Sequence, residues 1–344
     1  MELETFADVQ ASIQKNPKRP FHLLLGNGFS IAYDSAIFSY NALYDFIEKL
    51  DDPDLKKILG VIETRNFEVV MQYLDQFSAL IDAFGGHTDL KRRVDSAGSK
   101  MKSSLLDAVK ALHPEHVFKV SEEQSKACAR FLKTFLDTGG SIYSTNYDLL
   151  LYWVLMRSDI AGHIDGCGRE LLNPDEAAKG DEQEWSELLW GKNREDQNVF
   201  YVHGALQFFD AGISIVKEEY DAYNYLLQKI TARMDRGEYP IFVTAGDGRQ
   251  KLTHIRHNRY LTYCFDELCE SEGSIVTFGF GFGAQDEHII DAINTAAKRH
   301  PKEKLWSVYI GVYSDDDRKH IEHVAGKFKC KVRIYDAKTV KVWG

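Results

Sequence analysis

The sequence is poor in cysteine and in long apolar runs. Five cysteines occur among 344 residues, scattered and never as a C-x-x-C pair, which argues against a zinc ribbon and a disulfide scaffold. The apolar block from Leu149 to Met156 is much shorter than the roughly 20 residues that span a bilayer. The acidic start, Met1 to Glu4, leads into no apolar core of a secretory signal. We therefore expect a cytoplasmic protein without membrane contact.

The chain also lacks an excess of positive charge and several well-known catalytic motifs. It has 42 Lys and Arg against 52 Asp and Glu, a net charge of −10, which disfavours direct binding of nucleic acid. G-x-S-x-G, G-x-x-x-x-G-K-[ST] and H-E-x-x-H do not occur, which removes the commonest hydrolase, ATPase and zinc-protease interpretations. Three H-x-x-H pairs have no obvious third ligand, so we expect no metal: His113 and His116, His254 and His257, and His320 and His323.

What is present is the composition of a globular protein, with 44% apolar and 27% charged residues. Short apolar strands and amphipathic helices alternate from residue 139 to the end. This alternation predicts an α/β fold, a Rossmann-like parallel sheet with helices on both faces. A mostly helical stretch at about 51–135 reads as an insertion and a candidate second lobe. A polar, turn-rich stretch at about 158–198 reads as a smaller insertion.

The chain is organised around a short strand that ends in a cluster of polar residues. Ile142 and Tyr143 form the strand, and Thr145, Asn146 and Asp148 follow just before an apolar helix. Parallel sheets bind ligands at this edge, beyond the carboxyl ends of their strands. The Asn146 amide offers a donor and an acceptor, which suits a ribose hydroxyl or a water. Asp148 suits either a ligand contact or the cap of the following helix, and its position favours the cap.

Two glycine-rich segments follow other predicted strands. Gly26-Asn27-Gly28-Phe29-Ser30 comes directly after Phe21–Leu25, and glycines there let the backbone approach a pyrophosphate at a helix start. A plain tight turn explains the same residues. In the segment Gly279-Phe280-Gly281, glycines permit close approach to the ribose or adenine of a nucleotide, or else form a bend. Asp286 follows and is placed to cap the next helix.

A histidine ends the strand Val199–Val202. His203 is followed by Gly204, which leaves one side of the imidazole open. Histidine titrates near neutrality and can deprotonate a hydroxyl or hold the edge of a sugar. A lone histidine is more often a satisfied core residue. Because His203 and Asn146 both follow strands, we expect the two side chains to face the same cleft.

These four segments, in this order, resemble the sirtuin superfamily, and more closely the bacterial sirtuin-like NAD+ hydrolases of anti-phage defence. The resemblance covers about residues 21–312, and Asn66-Phe67-Glu68 is similar to an N-F-E element of the same proteins. It implies one sirtuin-like NAD-binding domain over residues 1–344, carrying the two insertions. Two departures argue against peptide deacylation. The cysteine spacing cannot form the four-cysteine zinc module of deacylating sirtuins, and the A-G-I-P-x-F-R continuation is replaced by Ile31-Ala32-Tyr33-Asp34.

The resemblance implies that NAD+ is the substrate and is cleaved by water to nicotinamide and ADP-ribose. Asn146 and His203 would be catalytic, and no metal would be required. Phe38 or Tyr40 would pack near nicotinamide. The remaining contacts to NAD+ would come from residues at the four strand ends, namely Gly26, Asn27, Gly28, Ser30, Thr145, Asp148, Gly279, Gly281 and Asp286.

An enzyme of this kind must be restrained, because free hydrolysis of NAD+ would empty its own cell. We therefore expect low basal activity that is released by homo-oligomerisation or by a regulatory partner protein. The insertion at about 51–135 is the candidate interface. The alternative from another class is a non-catalytic subunit that senses NAD+ or ADP-ribose with the same residues. A deacylase is a third and weaker alternative.

Overall fold

The chain folds into two β-sheets and the helices that cover them. The computed structural model describes residues 3–15, 17–35, 53–62, 67–85, 88–158, 160–177, 182–220, 223–236, 238, 240–243, 247–298 and 304–344. The strands are β1 (Leu3–Glu4), β2 (Phe21–Leu25), β3 (Ile142–Ser144), β4 (Cys167–Gly168), β5 (Leu188–Trp190), β6 (Val199–Tyr201), β7 (Gly204–Asp210), β8 (Ile215–Lys217), β9 (Pro240–Phe242), β10 (Gly273–Phe278), β11 (Leu305–Val312) and β12 (Lys331–Asp336). The helices are α1 (Phe6–Gln14), α2 (Gly28–Tyr33), α3 (Pro53–Ile62), α4 (Phe67–Phe84), α5 (Thr88–Leu112), α6 (Glu122–Leu136), α7 (Leu150–Arg157), α8 (Pro174–Ala177), α9 (Leu226–Asp235), α10 (Gly248–His257), α11 (Arg259–Cys269), α12 (Glu287–Ala297) and α13 (Asp315–Val324).

The larger sheet is entirely parallel and confirms the predicted Rossmann-like α/β fold. Its seven strands lie in the order β1, β12, β11, β10, β2, β3, β6. All five residues of β2 and all six of β10 are buried, as expected of central strands covered on both faces. On one face, Phe131 of α6 packs against Phe278. On the other, the hydroxyl of Tyr143 donates to the carbonyl of Glu267 in α11.

The smaller sheet interrupts the predicted alternation of strands and helices from residue 139, and its β7–β8 pair forms the hairpin that the turn residues Asp210-Ala211-Gly212 predict. Five antiparallel strands lie in the order β4, β5, β8, β7, β9. Only Val202 and His203 separate β6 from β7, whereas a parallel neighbour needs a crossover of a dozen residues or more. The chain turns at Gly204, whose φ of +79° favours glycine. Within the predicted insertion at about 158–198, β4 and β5 are therefore part of an ordered sheet.

The helices between β2 and β3 divide into two groups by packing. Apolar residues of α3, α4 and α5, among them Leu59, Leu74 and Met101, form a small core of their own. Residues of α6 instead belong to the main core around the parallel sheet. That residues at about 51–135 form a separate helical insertion stays a prediction. Among the helices that the structure describes, none is both long and apolar enough to cross a membrane.

Candidate functional site

The four predicted segments follow four adjacent strands of the parallel sheet. In the order β10, β2, β3, β6, the strands end in register at Phe278, Leu25, Ser144 and Tyr201. From β2 the chain adds β3 and β6 on one side, and it later adds β10, β11 and β12 on the other. Strand order therefore reverses between β2 and β10, the position where doubly wound sheets bind ligands. The sequence segments thus meet at one sheet edge.

The glycines after β2 and β10 bring the two loops against each other. The Gly26 amide donates to the Phe278 carbonyl at 3.0 Å, and the Gly28 amide donates to the Gly279 carbonyl at 2.9 Å. A Cβ on Gly28 would lie 2.5 Å from the Gly279 Cα, and Gly279 has a φ of +67°. Close backbone packing thus accounts for these three glycines. Gly281 differs, because it is exposed and a Cβ there would meet no described atom within 4 Å.

The Asn146 side chain belongs to a directed hydrogen-bond network. Its amide nitrogen donates to the Gly26 carbonyl at 3.0 Å and to the Ser30 hydroxyl at 3.1 Å. The Ser30 hydroxyl in turn donates to one carboxylate oxygen of Asp148. The Gly26 carbonyl can only accept, which fixes the orientation of the Asn146 amide. Its oxygen accepts no hydrogen bond from the described part of the chain, so it can accept one from a ligand.

The polar neighbours of Asn146 hold the strand ends. The second carboxylate oxygen of Asp148 accepts from the Leu150 amide, the first of α7, at 2.9 Å. The N-cap residue is Leu149, so Asp148 holds the helix start from one position before the cap that its place in the sequence favoured. The Thr145 hydroxyl donates to the Leu25 carbonyl at 3.0 Å and ties β3 to β2. Asn27 lies half-buried at the start of α2.

His203 contacts a second histidine, which no pattern in the sequence pairs with it. The Nε2 atoms of His203 and His288 lie 2.8 Å apart, and both rings are buried. Burial, then His288, then the Lys251 ammonium lower the pKa of His203 well below its ordinary value. Burial and Lys251 lower the pKa of His288 to about 3. Both rings are therefore neutral at pH 7, and one Nε2–H donates to the other Nε2.

Lys251 supplies the positive charge beside this histidine pair. It is fully buried and its ammonium lies 3.0 Å from a carboxylate oxygen of Asp286. Lys251 lies on α10, a helix absent from the sequence interpretation although Asp247 and Gln250 form a capping box at its start. At Gly248 a Cβ would lie 3.1 Å from the His288 amide nitrogen, so the starts of α10 and α12 pack closely together.

The same cluster has the ligand atoms of a small metal site. Nitrogen or oxygen atoms of His203, Asp286 and His288 lie within 4.8 Å of one another. However, Asp286 is already paired with the buried Lys251 ammonium. A divalent cation would therefore add charge to a site whose only carboxylate is neutralised, at a large desolvation cost. The arrangement is better suited to holding neutral imidazoles than to holding an ion.

The side chains of Asn146 and His203 leave the backbone at neighbouring positions, but they form hydrogen bonds in different directions. The last ladder bond between their strands runs from the Val202 amide to the Ser144 carbonyl at 2.8 Å. Asn146 lies two residues after Ser144, and His203 lies one residue after Val202. Their exposed fractions are 7% and 3%. Asn146 bonds toward the β2 loop, whereas His203 bonds toward α12. Phe38, Tyr40 and Asn66 lie outside the described residues.

The fold and the site together define a doubly wound α/β protein with a polar site at the reversal point of its parallel sheet. The chain belongs to the family described as Domain of unknown function (DUF4917), whose model matches residues 23–343. That match covers the four strand ends and both histidines. A comparison with curated proteins found no match. Function is therefore argued from the site, because one fold serves many activities.

Proposed function

We propose that the protein is an NAD+ hydrolase that cleaves the nicotinamide–ribose bond with water. The observation that carries the proposal is the meeting of the four sirtuin-like segments at adjacent strand ends, where strand order reverses. Asn146 and His203 start there within two residues of one ladder rung. The site thus presents an amide and an imidazole near the position where parallel sheets bind nucleotides.

In the proposed reaction, the water oxygen bonds to the anomeric carbon of the ribose as the bond to nicotinamide breaks. The electron pair of that bond leaves with nicotinamide and neutralises its pyridinium charge. The water gives up one proton, so the products are nicotinamide, ADP-ribose and a proton. The transition state has oxocarbenium character, so the ribose must be fixed and the water aimed.

Asn146 would fix the ribose or the water through its amide oxygen. The nitrogen of the same amide is held by Gly26 and Ser30, so the oxygen is oriented before substrate arrives. In this interpretation, Ser30 and Asp148 act mainly by holding the network, and Thr145 acts by tying β3 to β2. Backbone groups of Gly26, Gly28, Gly279 and Gly281, with Asn27 and Asp286, would border the rest of NAD+.

His203 would accept the proton. Its depressed pKa keeps it neutral and therefore able to act as a base at pH 7. His288 lies at hydrogen-bond distance from it and would set which ring nitrogen carries the hydrogen. Burial keeps the pair neutral by lowering both pKa values, and the charge of Lys251 lowers them further.

NAD+ consumption by the purified protein tests the proposal. Wild-type protein should convert NAD+ to equimolar nicotinamide and ADP-ribose, and Asn146→Ala should lower the rate by about 10²-fold, as for loss of one preorganised polar group. The matched control is Asn173→Ala, which also removes two hydrogen bonds of an amide but lies just before α8. Equal rates in wild type and Asn146→Ala would rule out the assigned role.

The same assay separates the enzyme from the sensor. Saturable binding of NAD+ or ADP-ribose without turnover, at low and high protein concentration and with candidate partner proteins, would show the non-catalytic subunit instead. Release of an acyl group from a peptide would show the deacylase, which the absence of a four-cysteine zinc module disfavours.

We further propose that the enzyme is an anti-phage effector whose activity is released by assembly through the helical insertion. On α4 a row of large apolar residues, spaced four, three and four apart, is solvent-exposed. This spacing is that of the apolar seam between paired helices. The row comprises Tyr73, Phe77, Leu80 and Phe84, with exposed fractions of 54%, 47%, 52% and 86%. A second copy presenting the same row would bury it.

Replacing Phe77 by glutamate should convert a dimer or larger assembly to monomer, because a charge would enter the apolar seam. Multi-angle light scattering measures the mass. The control is Ile213→Glu, which places the same charge at a residue that is 93% exposed in the β7–β8 hairpin. An unchanged assembly in Phe77→Glu would place the interface elsewhere.

A further inference from the structure

A separate pocket of about 550 Å³ lies beside α7, between the turn Val117–Lys119 and the chain segment that leads into α9. Its volume falls within the range of small-molecule sites in proteins. None of its lining residues is among those assigned above to NAD+. The pocket is therefore a second candidate binding site on the described part of the chain.

The walls of this pocket are mainly aromatic. Trp153 lies deep and is only 1% exposed, and Tyr220 is half-buried. Phe118 and Tyr225 lie at the rim with 67% and 40% of their surface exposed. Tyr225 is held by stacking on His116, with ring centroids 4.5 Å apart. Flat, exposed rings around a concave space favour a flat ligand, because stacking adds to the gain from burial.

Arg157 supplies the one cation among the described lining residues of the pocket. The other polar side chains offer donors as well as acceptors, and they are those of Trp153, Tyr220, Tyr223, Asn224 and Tyr225. Arg157 uses one terminal nitrogen on the carbonyls of Val117 and Val120, and its guanidinium lies over the Phe118 ring. No carboxylate is among the lining residues that the structure describes.

We propose that this pocket binds a nucleoside monophosphate. Its base would stack between the aromatic walls, and its phosphate would pair with the Arg157 guanidinium. An aliphatic ligand would gain nothing from stacking on these rings, and a cationic one would be repelled by Arg157. A phenyl or phenol side chain of a peptide has the flat faces but carries no anion to pair with Arg157.

Binding of the four common ribonucleoside 5′-monophosphates to the full-length protein tests the proposal. Saturation-transfer NMR and isothermal titration should detect at least one of them, while ribose 5-phosphate, which lacks a base, should not bind. Tyr225→Ala should weaken binding about tenfold or more, as for loss of one stacking partner. Tyr220→Phe keeps the ring and removes only the hydroxyl, so it should weaken binding less.

The controls separate this site from the one proposed for NAD+. Tyr313→Ala removes another exposed tyrosine, at the end of β11, and should bind like wild type. His203→Ala should also bind like wild type, so the result stands whether or not NAD+ is cleaved. Three outcomes would overturn the proposal: no monophosphate binds, binding survives Tyr225→Ala in a folded variant, or N-acetyltyrosine amide binds in place of the nucleotides.

Discussion

Replacing His203 by alanine is expected to lower the rate of NAD+ cleavage by about 10²- to 10⁴-fold, the usual contribution of a general base. The imidazole is buried, follows β6 at the reversal point of the sheet and is neutral at pH 7. Alanine removes the imidazole that is proposed to take the proton of the attacking water. Initial rates at saturating NAD+ measure the effect, and thermal melting of the variant shows whether the fold is retained.

Two further variants test whether the loss of rate is specific to His203. His257 is an exposed histidine near the end of α10, so His257→Ala should react like wild type. His288→Phe keeps an aromatic ring beside His203 but removes the partner nitrogen. Because His288 lowers the pKa of His203, its loss should move the acid limb of kcat/KM to higher pH and lower kcat about tenfold. A folded His203→Ala variant that turns over at the wild-type rate would remove the imidazole from the mechanism.

The parallel sheet was predictable because each of its longer strands can be recognised from a short stretch of sequence. Segments such as Phe21–Leu25 and Leu305–Val312 are mostly apolar, and glycine or polar residues follow each of them within two positions. Once these are parallel strands, their carboxyl ends must share one edge, which is why Asn146 and His203 could be assigned to that edge from the sequence. That the two side chains face one cleft stays a prediction. The hairpin through Asp210–Gly212 and the strand from Pro240 were also predictable, whereas β4 and β5 were missed because two or three residues are too few to show a period.

The partners of the site residues were not predictable, because they come from distant parts of the chain. His288 lies 85 residues from His203 and occupies an apolar face of α12, where a histidine reads as an ordinary helix residue. The position of Lys251 could have been found in part, since the capping box at Asp247 and Gln250 marks the start of α10. What no local signal shows is that this lysine is buried against Asp286.

The glycines that follow β2 and β10 show the same limit, because local sequence does not identify a distant neighbour. A glycine after a strand shows that something approaches the backbone closely, but it does not show what. The sequence suggested a pyrophosphate at Gly26 and Gly28. In the structure the neighbour of both is the backbone around Gly279, from the far end of the chain. Gly281, which faces open space, is the better candidate for direct contact with a ligand.

Acidification from pH 6.5 toward pH 4 should destabilise the fold, and His22 alone should account for about 3 kcal/mol of that loss. Burial lowers the pKa of His22 from 6.5 to about 4. Its Nδ1 accepts from the Ser141 amide and its Nε2–H donates to the Glu272 carbonyl, each at 3.0 Å, so only the neutral ring fits. Between these two pKa values the unfolded chain takes up a proton that the folded chain does not. The free energy of unfolding therefore falls by about 1.4 kcal/mol per pH unit for this group.

Urea unfolding at several pH values between 6.5 and 4.5 measures this slope. The His22→Asn variant should be less stable at every pH, because asparagine cannot span both partners, but its slope should be shallower than that of wild type by about 1.4 kcal/mol per pH unit. The remaining slope should come from His203, His288 and His113, whose pKa values are also lowered by burial. His257→Ala, at an exposed site, should keep the full wild-type slope. If His22→Asn and wild type gave parallel curves, the proton uptake would belong to other groups, and the buried neutral ring of His22 would not be a source of acid sensitivity.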